Sequence, residues 1–273
     1  MVFRTGNVAM DIDGLYPSFS DRYCYMGFTQ VLRVEQGDIL VRSMDSYIFA
    51  LDSDLVLGAA GCIPFNHEYS LIPGISDLRY DSATLSWIFT FLRREEVKPI
   101  EDLSFTQLIG IARAASEFGF HSIQTLCRLA LRRFRNRNSQ DILSLSVQYG
   151  YHALLPMLAA TKLIDTPLTS LQDILRDPSI YRAWSLFRDQ RIAALEVVRE
   201  QHSKVHTDAN CLTWATEAAV TYLRLGRPST MDPSRICEAF GSTGALPACC
   251  SSAIEQWRKY ALDISQGLPT FSL

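Results

Sequence analysis

The sequence predicts an α+β protein: a small sheet-and-helix unit over residues 36–135, followed by an all-helical region over 136–273. Three observations carry this reading. Gly37 to Leu51 alternates like a β-hairpin. From Ser82 the apolar spacing changes from the strand period to the helix period. After Phe134 only helical stripes, caps and glycine stops recur. Residues 1–35 form an N-terminal extension whose role the sequence does not give.

Within 1–36, Gly6, Gly14, Pro17 and scattered Ser and Asp indicate loop, with one strand at Val31–Glu35. The hairpin pairs Gly37–Arg42 with Tyr47–Leu51 across the polar turn Ser43-Met44-Asp45-Ser46. Tyr47, Phe49 and Leu51 share one face, because strand side chains alternate. Asp54 to Ile63 is rich in Leu and Ala and predicts a short buried helix. Ser70 to Tyr80, broken at Pro73-Gly74, predicts two short extended pieces.

Leu85, Ile88, Phe89 and Leu92 then fall on one helical stripe, which Trp87 and Phe91 widen. Ser104-Phe105-Thr106-Gln107 is a capping box, in which serine and glutamine satisfy each other's free backbone N–H. Leu108, Ile111, Ala112, Ala115 and Phe118 mark the buried stripe behind it, and Gly119 supplies a left-handed stop. Ile123, Leu126, Cys127, Ala130, Leu131 and Phe134 repeat the stripe.

Further on, Ser139 is placed to cap a helix ending near Gly150. Residues 151–164 predict another, with Pro156 as either a kink or a first-turn residue. Asp177-Pro178 and Asp232-Pro233 each pair an N-cap carboxylate with proline at the first helical position. The first opens a long helix with Tyr181, Trp184, Phe187, Arg191, Leu195 and Val198 on one side. Gly226, Gly241 and Gly267 stop helices. No solenoid repeat is present, and where the short loops allow a break it falls near Thr166–Pro178.

Composition limits function. The chain has 273 residues, 48% apolar and 20% charged, with a net charge of −3. It therefore has material for a core and no general attraction to nucleic acid or anionic lipid. No apolar run has the length of a membrane helix, and Met1 to Asp13 lacks a secretory pattern. Seven irregularly spaced cysteines fit reduced thiols in the cytoplasm or nucleus.

The five histidines, His67, His121, His152, His202 and His206, pair with no Ser or Cys in a nucleophile motif, and there is no phosphate loop. Cys24 and Cys249-Cys250 are candidate thiols, but an activated thiol needs a cationic neighbour or a helix N-terminus, and a free cysteine is usually buried and inert. His202, His206, Cys211, Cys237 and Cys249 are suitable zinc ligands by type. They lack the Cys-x₂₋₄-Cys spacing of structural sites, and a vicinal pair seldom gives both sulfurs to one ion. Arg128, Arg132, Arg133, Arg135 and Arg137 make a basic run. It reads first as a solvated helix end and second as a seat for an acidic peptide or phosphate. Glu95-Glu96 and Asp11/Asp13 read as surface charge. Trp87, Trp184, Trp214 and Trp257 read as core anchors.

Gln36-Gly37-Asp38-Ile39-Leu40-Val41-Arg42-Ser43 and Tyr47-Ile48-Phe49, followed by these helices in this order, resemble the BTB/POZ domain. The likeness is closest to its large group in mushroom-forming (basidiomycete) fungi. That family's first helix normally reads His-Lys-x-x-Leu-x-x-x-Ser-Pro-x-Phe. Here it is Ser53-Asp54-Leu55-Val56-Leu57-Gly58-Ala59-Ala60-Gly61-Cys62-Ile63-Pro64, with the leucine kept at Leu57 and Ser53, Gly61 and Cys62 replacing His, Ser and Pro. Asp81 to Leu92 is similar to the third helix, and Leu103 to Leu131, with Phe118-Gly119, to the closing pair. Tyr181-Arg182-Ala183-Trp184, Cys211-Leu212-Thr213-Trp214 and a cysteine pair before the last helix extend the likeness over roughly residues 36–265.

The resemblance implies a non-enzymatic protein–protein interaction module. Its first helix would build a dimer interface, and its partners would be other proteins: a second copy, or a cullin for which it serves as ubiquitin-ligase adaptor. Neither membrane nor nucleic acid is expected. No catalytic, cofactor-binding or metal-ligating residue and no cofactor is assigned, and whether His206, Cys211 and Cys249 share a metal stays open. The alternative is a zinc- or thiol-dependent enzyme or regulator with its site in residues 202–250.

Overall fold

In the computed structural model the described residues are 3–4, 23–26, 30–33, 38–61, 75–206, 208, 211–241 and 246–273. The chain forms two compact units, Met1–Leu131 and Arg132–Leu273. It is α+β with a helical majority.

The strands of the first unit are β1 (Phe3–Arg4), β2 (Tyr23–Met26), β3 (Gln30–Arg33), β4 (Asp38–Arg42), β5 (Tyr47–Asp52) and β6 (Ile75–Asp77). Its helices are α1 (Ser53–Ala60), α2 (Ser82–Leu92), α3 (Phe105–Glu117) and α4 (His121–Leu131). One sheet runs β1-β5-β4-β6, and β2 pairs with β3 apart from it. The hairpin is in the predicted place: Val41 lies opposite Phe49 and Ile39 opposite Leu51, all four buried. Ser43 and Ser46, the latter with positive φ, close its turn. β6 joins β4 in parallel, which demands a crossover, and α1 lies in that connection. The parallel register sets Arg42 beside Asp77, where two hydrogen bonds of 2.6 and 2.8 Å clamp the strands.

Two segments read as loop, Phe3–Arg4 and Tyr23–Met26, are strands. Each is short and becomes a strand by pairing with a partner elsewhere, Tyr47–Ile48 for the first and β3 for the second. Neither is long enough to display a period. Asp11, Asp13, Cys62, Ile63, His67 and Pro73-Gly74 lie outside the described residues.

Local chemistry starts and stops the helices as expected. Asp52 and Asp81 cap α1 and α2. Both bonds of the Ser104–Gln107 capping box are present ahead of α3, and Leu108, Ile111, Ala112, Ala115 and Phe118 are all buried. Gly119, at φ +73°, makes the left-handed turn into α4 that an L side chain would resist.

The second unit contains α5 (Ser139–Gln148), α6 (Leu155–Ala159), α7 (Leu168–Leu171), α8 (Pro178–Glu200), α9 (His202–Val205), α10 (Leu212–Arg224), α11 (Pro233–Ala239) and α12 (Ala248–Gln266). Among its described residues there is no strand. Pro156 sits in the first turn of α6, so the kink alternative fails. Ser139 is the first helical residue of α5 and Asn138 precedes it as the cap, without a side-chain bond. Asp177 caps α8; the Ser179 hydroxyl and the Ser179 and Ile180 N–H groups hold its carboxyl below the usual range. Tyr181 leaves the predicted buried side of α8, and Ile180 takes its place.

Thr166–Pro178 is not a break: the two units divide between Leu131 and Arg132. The stretch is held inside the second unit by buried Leu171 and Leu175. Just before it, Asp165 accepts hydrogen bonds from the Ser229 N–H (2.8 Å) and hydroxyl (2.6 Å). The carboxylate takes both donors of one residue far away in sequence. Asp165→Ala is expected to cost about 2 kcal/mol, the scale of hydrogen bonds to a charged group. Urea denaturation followed by circular dichroism checks this, and a loss below about 0.5 kcal/mol would count against the latch.

Candidate metal centre

Among the described residues, the most chemically distinctive group of side chains lies in the second unit. His206 follows α9, Cys211 is the N-cap residue of α10, and Cys249 and Cys250 occupy the first turn of α12. Their nearest ligand atoms, one per residue, all lie within 4.8 Å of one another. Cys250 Sγ is the hub: 3.5 Å from Cys211 Sγ, 3.8 Å from Cys249 Sγ and 3.7 Å from His206 Nε2. Around a tetrahedral ion with metal–sulfur bonds of about 2.3 Å and a metal–nitrogen bond of about 2.0 Å, ligand atoms sit about 3.5–3.8 Å apart.

The core orients these groups. Cys250 is fully buried, on the face of α12 that also carries Ala253, Ile254, Trp257 and Ala261. Cys211 is half-buried against the same cluster, and Cys249 is exposed. His206 stacks on Trp214, with centroids 5.0 Å apart and planes within 10°. His206 Nδ1 lies 3.2 Å from the Asp208 carbonyl. A carbonyl only accepts, so Nδ1–H donates in this contact, and in that tautomer of the neutral ring the Nε2 lone pair faces the sulfurs. A second partner on the far ring nitrogen commonly fixes a ligating histidine in this way.

The same groups make a poor nucleophilic pair. Burial, with the Cys211 and Cys249 sulfurs adding to it, pushes the Cys250 thiol up to about 12. A catalytic thiol needs the opposite shift. Cys127, the thiol predicted on an apolar helix face, is likewise buried and pushed up to about 12 by burial.

The remaining sequence candidates stand apart. The His202 Nδ1 faces the Arg199 carbonyl at 2.6 Å, and its ring packs on Tyr222 and Trp257. Cys237 is exposed, with its sulfur near Arg258. Arg132, Arg133, Arg135 and Arg137 are exposed, and Glu95-Glu96 lies on the surface. All four tryptophans are buried. Linear spacing argued against a shared site and gave Cys250 no part in one. The fold overrides spacing, because His206 and Cys211 both lie beside Cys250 at the start of α12. Adjacent Cys249 and Cys250 converge there from one helical turn. The vicinal pair itself was the available signal.

No family model, curated protein or solved structure matches the chain. Among the described residues no helix is long and apolar enough to cross a membrane.

Proposed function

We propose that the protein is a non-enzymatic protein–protein interaction protein of the BTB/POZ type, docking through its N-terminal unit and self-associating through α1. The observation that carries this reading is the exposure of α1. Its sequence, Ser-Asp-Leu-Val-Leu-Gly-Ala-Ala, is mostly apolar, yet only Val56 is buried and Leu57 is 47% exposed. Among the described residues, a Cβ added at Gly58 would meet nothing within 4 Å. Among the described residues, Leu57 and Gly58 stand exposed on this mostly apolar helix, which supports a partner surface there. The order of hairpin, α1, α2 and the α3–α4 pair adds support, since it is the order that the resemblance rests on. A cullin-type ligase is the second partner the resemblance suggests.

Size-exclusion chromatography with light scattering tests the reading. The wild-type chain is expected to run as a dimer and Leu57→Asp as a monomer with an unchanged circular dichroism spectrum. Leu57 is 47% exposed on α1, so the charge should cost the interface more than the fold. A wild-type chain that stays monomeric at the highest attainable concentration, and that captures no protein by affinity purification, would overturn the proposal.

A further inference from the structure

We propose that His206 Nε2 and the Sγ atoms of Cys211, Cys249 and Cys250 together bind one zinc ion, in a structural site that fastens His206 and the start of α10 to the start of α12. The separations of 3.5, 3.8 and 3.7 Å around Cys250 are those of neighbouring corners on a zinc-sized tetrahedron. Three sulfurs and one imidazole favour a borderline-soft ion with tetrahedral preference, which selects zinc over the oxygen-seeking divalent cations. Four protein ligands fill the coordination sphere and leave no position for water or substrate, so the ion holds structure.

The surroundings suit the charge. Three thiolates around one divalent ion leave a net negative centre. Cys249 and Cys250 place it at the N-terminal turn of a helix running from Ala248 to Gln266, where free N–H groups and the helix dipole favour an anion. The ligands are far apart in the chain, Cys211 being 39 and His206 44 residues before Cys250. A cross-link over that separation closes long loops of the unfolded chain and stabilises the folded one.

Elemental analysis of the full chain, purified under reducing conditions, is expected to find about one zinc per chain. Cys249→Ser and His206→Gln should each lower retention at least about tenfold under mild chelation. Cys249 is exposed, so its loss disturbs no core packing. Chelation of the wild-type chain should lower Tm by roughly 10 °C. Cobalt exchanged into the wild-type chain makes the test independent of how the variants fold. Thiolate-to-cobalt charge transfer with tetrahedral d–d bands is expected, and an octahedral spectrum without charge transfer would overturn the site. So would a reduced chain that takes up no zinc, zinc retained equally by both variants, or a Cys211–Cys250 disulfide in freshly isolated protein. Metal content and self-association are read separately, so either proposal can fail alone.

Discussion

Trp257→Ala is expected to destabilise the second unit by about 4–5 kcal/mol, the upper end of the cost of truncating a buried aromatic side chain. Trp257 is fully buried near the middle of α12. Its ring meets Phe240 edge-on at 5.1 Å, Trp214 at 6.2 Å and His202 at 5.8 Å, so three other elements lose a packing surface at once. The polar end matters too. The indole N–H donates to the Val198 carbonyl at 2.6 Å, in the last turn of α8, where the Gln201 N–H at 3.3 Å is the longer backbone donor to the same oxygen. Trp257→Phe separates the two contributions: it refills much of the volume but strips the Val198 carbonyl of that donor. About 2 kcal/mol is expected for it. Urea denaturation monitored by far-ultraviolet circular dichroism measures both. A Trp257→Ala loss under about 1.5 kcal/mol would show that the site collapses around the truncation and does not hold the helices in register.

Trp257 also shows what the sequence made legible. Its role as a core anchor follows from its chemistry and its place on an amphipathic stripe, and the stripe needs only contiguous residues. The same holds for the Ser104 capping box, the Asp177-Pro178 and Asp232-Pro233 helix starts, and the turn at Gly119, each decided within a few residues. What stayed hidden depends on distant parts of the chain. β1 is two residues long and is a strand only because Tyr47–Ile48 lies beside it. The Asp165–Ser229 latch joins residues 64 apart, and nothing local marks Asp165 as different from a surface carboxylate. The cluster at His206, Cys211, Cys249 and Cys250 has the right chemistry in the wrong linear order, and no spacing rule registers a site built by chain return.

In the first unit, Phe89→Ala is expected to cost about 3–4 kcal/mol. Phe89 on α2 and Phe49 on β5 are both buried, with centroids 5.2 Å apart and planes at 69°. This is the edge-to-face arrangement in which one ring's positive rim meets the other's negative face. Phe49 stands opposite Val41 in the hairpin register, so the pair fixes α2 against the centre of the sheet. Arg93, just after α2, donates to the Ala50 carbonyl at 2.7 Å and sets the same helix at a second point. If ring geometry contributes beyond buried area, Phe49→Leu and Phe89→Leu should not add. The double variant should be less destabilised than the sum by about 1 kcal/mol, the range found for aromatic pairs. Equilibrium denaturation of the wild type, the two single variants and the double variant gives this coupling directly. A coupling within error of zero would mean that buried area alone seats α2. The edge-to-face contact would then follow from the close packing around it, and Leu at either position would serve the sheet as well as Phe.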